Sequence, residues 1–408
     1  LLQTNLGPEG THTMKITGIK TYKFSIPTGQ HVHDSKTGEL ISSNSKAWLF
    51  LKIETDAGID GWGEGSGEWL TPPVEATLHE WSTLLIDRDP LPVAALTEDI
   101  TNRIPWKGGP VFGTAIAAIN IALYDIAGKA WGVPVHTILG GKRRDRVRVY
   151  SHGNLFESPD KGVKSVQEVK ELGYAGVKSV PLEERTWPLD RAAVEHCVAC
   201  MAAAREAAGD DFDILLDAHG SPIPELSVEF ARQVAPYKPL FLEEPVKVGS
   251  VEALLEVTRK SPVPIATGEK LFSFRDFKEL IDARACGILQ PDITHCFGIS
   301  GLMEIANYAD HAQMLMAPHN VAGPVCVAAT VHTDAAMKNF LIQEKNHVTF
   351  SEFHRYAEHD WVVEDGHINV TDAPGLGIVV KEADIAKLPF TPMAYRQYRH
   401  GDGSWKGW

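Results

Sequence analysis

Asp217, Glu243 and Glu269 follow one another at intervals of 26 residues, and each closes a short apolar run, ILLDAHG, LFLEEP and VPIATGEK. A strand of about 5 residues, a helix of about 12 and two short loops add up to such an interval. The spacing therefore predicts one βα unit per step, with a carboxylate at each strand end. In a parallel barrel the ends of successive strands lie side by side on the C-terminal face, where barrel enzymes build their sites. Three carboxylates gathered there repel one another unless a cation sits among them. An all-oxygen set without cysteine suits a hard ion, Mg²⁺, that keeps coordination positions open for substrate oxygens.

Other polar residues close the neighbouring runs: Lys178, His219, Asp292, His319 and Glu344. Residues two apart on a strand share a face, so Asp217 and His219 are expected to point toward one centre. The same rule separates Glu243 from Glu244. The 26-residue register selects Glu243 as the ligand and leaves Glu244 a supporting role. Asp292 and His319 end consecutive runs, which lets the carboxylate orient the imidazole and raise its basicity, as a general base requires. On spacing alone the same two residues read equally well as a core histidine and a helix N-cap. No Ser or Cys stands in a nucleophile-elbow pattern, and His295 and Cys296, past a strand end, read as loop or packing residues.

These residues need a scaffold, and the chain supplies a repeating one after Gly140-Gly141. Eight apolar runs, RVRVYSHG, YAGVKSV, FDILLDA, PLFLEEP, VPIATGE, GILQPD, QMLMAPH and NFLIQE, alternate with longer amphipathic stretches. That alternation predicts a (β/α)₈-type barrel rather than an open doubly wound sheet. No GxGxxG follows a strand, so dinucleotide binding has no support. Before the repeat, MKITGIKTYKF and AWLFLKIETDAGIDGWGE read as strands, the latter a hairpin with its turn at Asp56-Ala57-Gly58, and TAIAAINIALYDIAGKAWG reads as a helix ending near Gly132. The expected division is an α+β cap over 14–140, a barrel over 141–350 and a C-terminal segment over 351–408. Residues 1–13 are read as a leader or remnant ahead of Met14.

Two cap stretches could reach a substrate. His31 and His33 lie in GQHVHDSKTGEL, which read alone is a solvated loop. If the cap covers the barrel mouth, that loop and WGEGSGEW, with Trp69, close over the substrate and set specificity. Trp106-Lys107-Gly108-Gly109-Pro110 is a weaker candidate of the same kind.

Composition narrows the partners. A net charge of −14 opposes nucleic acid and anionic membranes, and no stretch approaches 18 uninterrupted apolar residues. The charge does not exclude a small anionic substrate held by a metal, and says little more about substrate. Five cysteines in 408 residues form no disulfide framework and point to a reducing compartment. Cys197 and Cys200, spaced CxxC within an Ala-rich helical run, have no second pair to complete a zinc site.

Taken together, GGPVFGTAIAAINIALYDIAGK, GVKSV, LLDAHG, PYKPLFLEEPV, ATGEKL, QPDITHCFGIS, APHN and LIQE resemble, in that order, the enolase superfamily in its mandelate racemase group. The likeness is greatest to sugar-acid dehydratases of the galactonate type and covers the chain from Met14 onward. It implies a modified (β/α)₇β TIM-type barrel beneath an α+β capping domain, with the C-terminal segment returning to the cap. It further implies that Asp217, Glu243 and Glu269 bind Mg²⁺ and that Asp292 and His319 form the dyad removing the α-proton. By the same resemblance His219 is the general acid, Lys178 contacts the substrate carboxylate, and Glu344, protonated, hydrogen-bonds the enediolate. One position departs from the pattern: Val180 stands where racemases carry a second catalytic lysine. A racemase needs a base on each face of the α-carbon, whereas dehydration needs one base and one acid. The implied reaction is dehydration of an acid sugar such as galactonate, gluconate or mannonate to a 2-keto-3-deoxy acid. An epimerase, a sugar-lactone cycloisomerase and a catalytically silent binding or regulatory relative are the alternatives. The family also implies a cytoplasmic homo-oligomer.

Overall fold

Strand β1 (Ile16–Pro27) pairs antiparallel with β2 (Ser45–Thr55), which turns back through Asp56–Gly58 into β3 (Gly61–Glu64). Gly58 takes φ +69°, the left-handed conformation such a turn favours in glycine. Helices α1 (Thr71–Trp81), α2 (Val93–Arg103) and α3 (Pro110–Trp131) follow. The structure is a computed structural model and describes residues 14–27, 32–33, 40–42, 45–182 and 191–393. The leader read over 1–13 lies outside them.

Helix α3 has proline at its first turn and ends at Gly132, φ +67°, where the left-handed cap lets the last carbonyls be satisfied. Its apolar residues are buried along most of its length between the three-stranded sheet and α1 and α2. A β-carbon on Gly61 or Gly63 would lie 2.1 or 1.9 Å from the carbonyl oxygens of Ala122 and Ala118. Only glycine there lets β3 lie directly on the helix. By length and apolarity α3 passes for a membrane span, with mean hydropathy 1.6, but 89% of that window is buried inside the fold, as befits a core helix.

From Arg146 a strand and a helix alternate seven times before a last strand. They are β4 (Arg146–His152), α4 (Pro159–Glu171), β5 (Gly176–Ser179), α5 (Arg191–Ala208), β6 (Asp213–Asp217), α6 (Pro224–Val234), β7 (Leu242–Glu243) and α7 (Val251–Lys260). Then come β8 (Ile265–Thr267), α8 (Phe274–Ala283), β9 (Ile288–Leu289), α9 (Gly298–His311), β10 (Leu315–Met316), α10 (Pro324–Ala336) and β11 (Gln343–Glu344). The parallel order is β10-β9-β8-β7-β6-β5-β4-β11. A parallel bridge from Met316 to Phe340 brings β10 against the approach to β11 and closes the ring. All eight expected runs are strands, and the arrangement is (β/α)₇β.

The barrel interior is filled by Tyr150, Leu215, Phe241, Ala266, Ile288, Ala317 and Ile342, all buried. A larger apolar layer packs the outer faces of the strands against the helices. After β11 the chain adds β12 (His367–Asn369) antiparallel to β4 and then runs to the first sheet. There Glu382 meets Lys52 at 2.9 Å and the Tyr22 hydroxyl, and Ser25 N–H donates to Pro389 O at 3.0 Å.

Candidate active site

Side chains two apart on a strand point the same way, and from five residues of the interior apolar layer one such step toward the C-terminal end reaches a titratable side chain. Tyr150 leads to His152, Leu215 to Asp217, Phe241 to Glu243, Ala317 to His319 and Ile342 to Glu344. A charged layer therefore sits on an apolar floor. Asp217, Glu243 and Glu269 come together with one carboxylate oxygen each, all within 4.8 Å of one another. Glu243 is fully buried and Asp217 nearly so.

Lys178 lies among these acids. Its Nζ donates to both oxygens of Glu243 at 3.0 Å, and stands 3.2 Å from Asp217 and 2.9 Å from Glu344. Burial alone would lower the lysine's pKa, but Glu243 and Glu344 hold it well above its usual value. Burial and the neighbouring Asp217 push Glu243 well up, while Lys178 and His219 keep Asp217 below the ordinary carboxylate range against its burial. One ammonium does not neutralise Asp217, Glu243, Glu269 and Glu344. The excess negative charge and the all-oxygen donors fit a hard divalent cation. Asp217, Glu243 and Glu269 are the residues that could hold it. Glu244, φ +41°, turns aside and pairs with Lys270; burial and Glu269 raise its pKa to about 7.

Two imidazoles flank this cluster. His319 donates from Nδ1 to Asp292 at 2.7 Å, leaving Nε2 3.5 Å from Glu269 and 3.6 Å from Glu344. Thr294 N–H holds the other Asp292 oxygen at 2.7 Å. Burial would lower the pKa of His319, but Glu344, Glu269 and Asp292 raise it well above the usual value. His219 reaches the cluster differently from the expectation. Strand β6 stops at Asp217, so no pleat carries His219; a left-handed turn at φ +51° folds it back, with Nε2 3.2 Å from Asp217. Asp217 raises its pKa against the effect of burial.

Glu344, although buried, is held well below the carboxylate norm by Lys178, His319 and His152. His152 is a residue the sequence reading missed. Its Nε2 donates to Glu344 at 2.5 Å, while Asn346 Nδ2 donates to its Nδ1 at 3.0 Å. It ends the first barrel run in register with Lys178, and that register was the available signal.

The remaining candidates are scattered. His31 lies outside the described residues, and His33 enters only as backbone in the pairing of Val32–His33 with Leu40–Ser42. Trp69 is half-buried on a single turn, Glu68–Leu70. Its neighbour Glu68 lies 3.8 Å from Lys46, whose Nζ donates to Val321 O in the His319 loop at 3.2 Å. Trp106 is 87% exposed. His295 bonds Thr114 of α3 at 2.7 Å, Cys296 is buried, and Cys197 and Cys200 are buried on α5.

Comparison with known proteins agrees with this geometry. Residues 37–140 match the mandelate racemase / muconate lactonizing enzyme N-terminal domain, and 162–384 match the enolase C-terminal domain-like family. A D-galactonate dehydratase of Pectobacterium atrosepticum is 34% identical over 97% of this chain and all of its own length. Another, from Ralstonia nicotianae, is 36% identical over 88% of this chain and 96% of its own. Among solved structures, an enolase-superfamily member from Salmonella Typhimurium superposes with a TM-score of 0.82 at 26% identity, covering 92% of this chain and 98% of that one. A candidate dehydratase from Zymomonas mobilis gives 0.81 at 27% identity, over 90% and 96%. With both family segments matched in order and relatives aligned along nearly the whole length, the chain belongs to the enolase superfamily, in its mandelate racemase and muconate lactonizing group.

Proposed function

We propose that the protein is a hydro-lyase that dehydrates an acid sugar, an aldonate such as galactonate, gluconate or mannonate, to a 2-keto-3-deoxy acid. The observation that carries this is the placement of two imidazoles beside one carboxylate cluster, His319 next to Glu269 and His219 next to Asp217. One can take a proton and the other can give one. Elimination of water asks for that pair, and Val180, just past β5, offers no second lysine base.

The difficult step is loss of a weakly acidic proton beside a carboxylate, which leaves an enediolate. Asp217, Glu243 and Glu269 would hold Mg²⁺, which when bound supplies positive charge that offsets these acids, lowers the proton affinity of His319 and stabilises the enediolate. His319, oriented by Asp292, takes the C2 proton on Nε2. His219 then protonates the departing C3 hydroxyl. Lys178 binds the substrate carboxylate edge, and the donors around Glu344 keep that acid aligned with the reacting carbons. General acid–base transfer of this kind contributes about 10²- to 10⁴-fold.

In the same proposal, residues 14–140 cap the site, 141–350 carry it and 351–408 return to the cap. His31, His33 and Trp69 contribute substrate contacts, and the enzyme works in the cytoplasm as a homo-oligomer. Incubating the protein with a panel of aldonates and aldarates, with and without EDTA, tests the activity. A 2-keto product one water lighter than the substrate, formed only with the metal present, is expected. A product of unchanged mass would identify an isomerase instead, and turnover indifferent to EDTA would count against the proposal.

A further inference from the structure

Glu64 ends cap strand β3 and is fully buried, with no role in the chemistry above. Its Oε1 accepts Gly323 N–H at 2.6 Å and the Ser66 hydroxyl at 2.5 Å; its Oε2 accepts Cys326 N–H at 2.9 Å. Gly323 and Cys326 flank the start of α10, which opens with Pro324. The first turn of a helix leaves N–H groups without intrahelical partners, and a side chain next to the helix in sequence normally accepts them. Gly323 has no such side chain. The acceptor comes instead from 259 residues away, in the cap. A β-carbon on Gly323 would stand 2.7 Å from Glu64 Oε1, so glycine there makes room for the carboxylate.

The segment thus held begins with His319. Asn320 N–H donates to Glu344 at 3.0 Å, and Ala322 N–H donates to Asn320 Oδ1 at 3.2 Å. From the cap side, Lys46 holds Val321 O at 3.2 Å. The loop that carries His319 is therefore clamped between the barrel, through Asp292 and Glu344, and the cap, through Glu64 and Lys46.

We infer that Glu64 is a positioning residue, through which the cap fixes the His319 loop and so aligns the base with the substrate. The inference rests on the proposed function for the role of His319 and extends it by making proton abstraction depend on a cap–barrel contact. A misplacement of about 1 Å far from the chemistry can cost about 10²-fold in rate. Replacing Glu64 by glutamine keeps the shape but turns an amide N–H toward a backbone N–H.

The test compares wild type, Glu64→Gln and Lys46→Met. Steady-state turnover and C2-proton exchange are measured on whichever aldonate the wild type converts, with folded fraction and amide hydrogen exchange of residues 318–326 read in the absence of substrate. For Glu64→Gln, kcat and C2 exchange are expected to fall about 10- to 100-fold at unchanged KM and folded fraction, with faster amide exchange confined to that segment. Lys46→Met, at a partly exposed position, gives a smaller fall of the same kind. Unchanged kcat in both variants, or losses that simply follow the folded fraction, would overturn the inference. If the wild type converts no sugar acid, the proposed function fails, and the amide exchange still decides whether Glu64 holds the loop.

Discussion

Lys178 bonds both oxygens of Glu243, 3.0 Å from each, so an ammonium is seated against the middle carboxylate of the acid cluster. Two cations sharing one carboxylate repel each other. Removing the ammonium with Lys178→Met is expected to tighten Mg²⁺ binding by roughly tenfold, since near charges at intermediate dielectric interact by a few kcal/mol. Turnover falls about 10²- to 10³-fold, as when a charge-stabilising donor is lost. Calorimetric titration with Mg²⁺ alongside steady-state kinetics checks both; weaker Mg²⁺ binding by the variant would contradict the shared-ligand picture.

The two imidazoles are separable by isotope. His319→Asn is expected to abolish C2-proton exchange in D₂O together with dehydration. His219→Asn leaves exchange measurable while dehydration drops about 10²- to 10⁴-fold. Deuterium incorporation followed by mass spectrometry distinguishes them. Persistent exchange in the His319 variant would remove that residue from its role as base.

Metal removal should be visible in stability as well as rate. Clustered acids repel in the folded state, and a cation that binds only there stabilises it by about 2.7 kcal/mol at one hundred times its dissociation constant. Wild type is expected to melt higher with Mg²⁺ than with EDTA. Glu269→Gln, which removes one of the acids, loses most of that difference. An equal Mg²⁺ response in both proteins would place the ion elsewhere.

Away from the site, His332 on α10 packs against His136 with ring centroids 5.4 Å apart and is 1% exposed. Burial, aided by His136, lowers its pKa from 6.5 to about 4. Between those values the unfolded chain binds a proton that the folded protein excludes, so stability is complete above pH 6.5 and declines as pH falls toward 4. The contribution is about 3 kcal/mol. Urea unfolding across that range is expected to show a shallower acid decline for His332→Gln than for wild type; parallel curves would exclude this ring as a source of acid sensitivity.

Much of this was legible because barrel strands are local. A run such as FDILLDA states its strand, its inward face and its terminal acid within a few residues, and the 26-residue spacing carries the order of the acids. What escaped is non-local. His152 gains its meaning from Glu344, 192 residues on, and Glu64 from an amide 259 residues away. His219 was placed on a pleat, although a single left-handed residue brings it in. The downward pull on the Glu344 pKa comes from Lys178, His319 and His152, which no linear pattern lists together.

β11, the last barrel strand, pairs with β4, the first. His152 and Glu344 therefore meet only after nearly two hundred intervening residues have been arranged, and contacts so distant along the chain are slow to form. Competence to bind ligand is on this account acquired late in folding, and a nascent chain still lacking its eighth barrel strand would carry the acids without the seam that holds them.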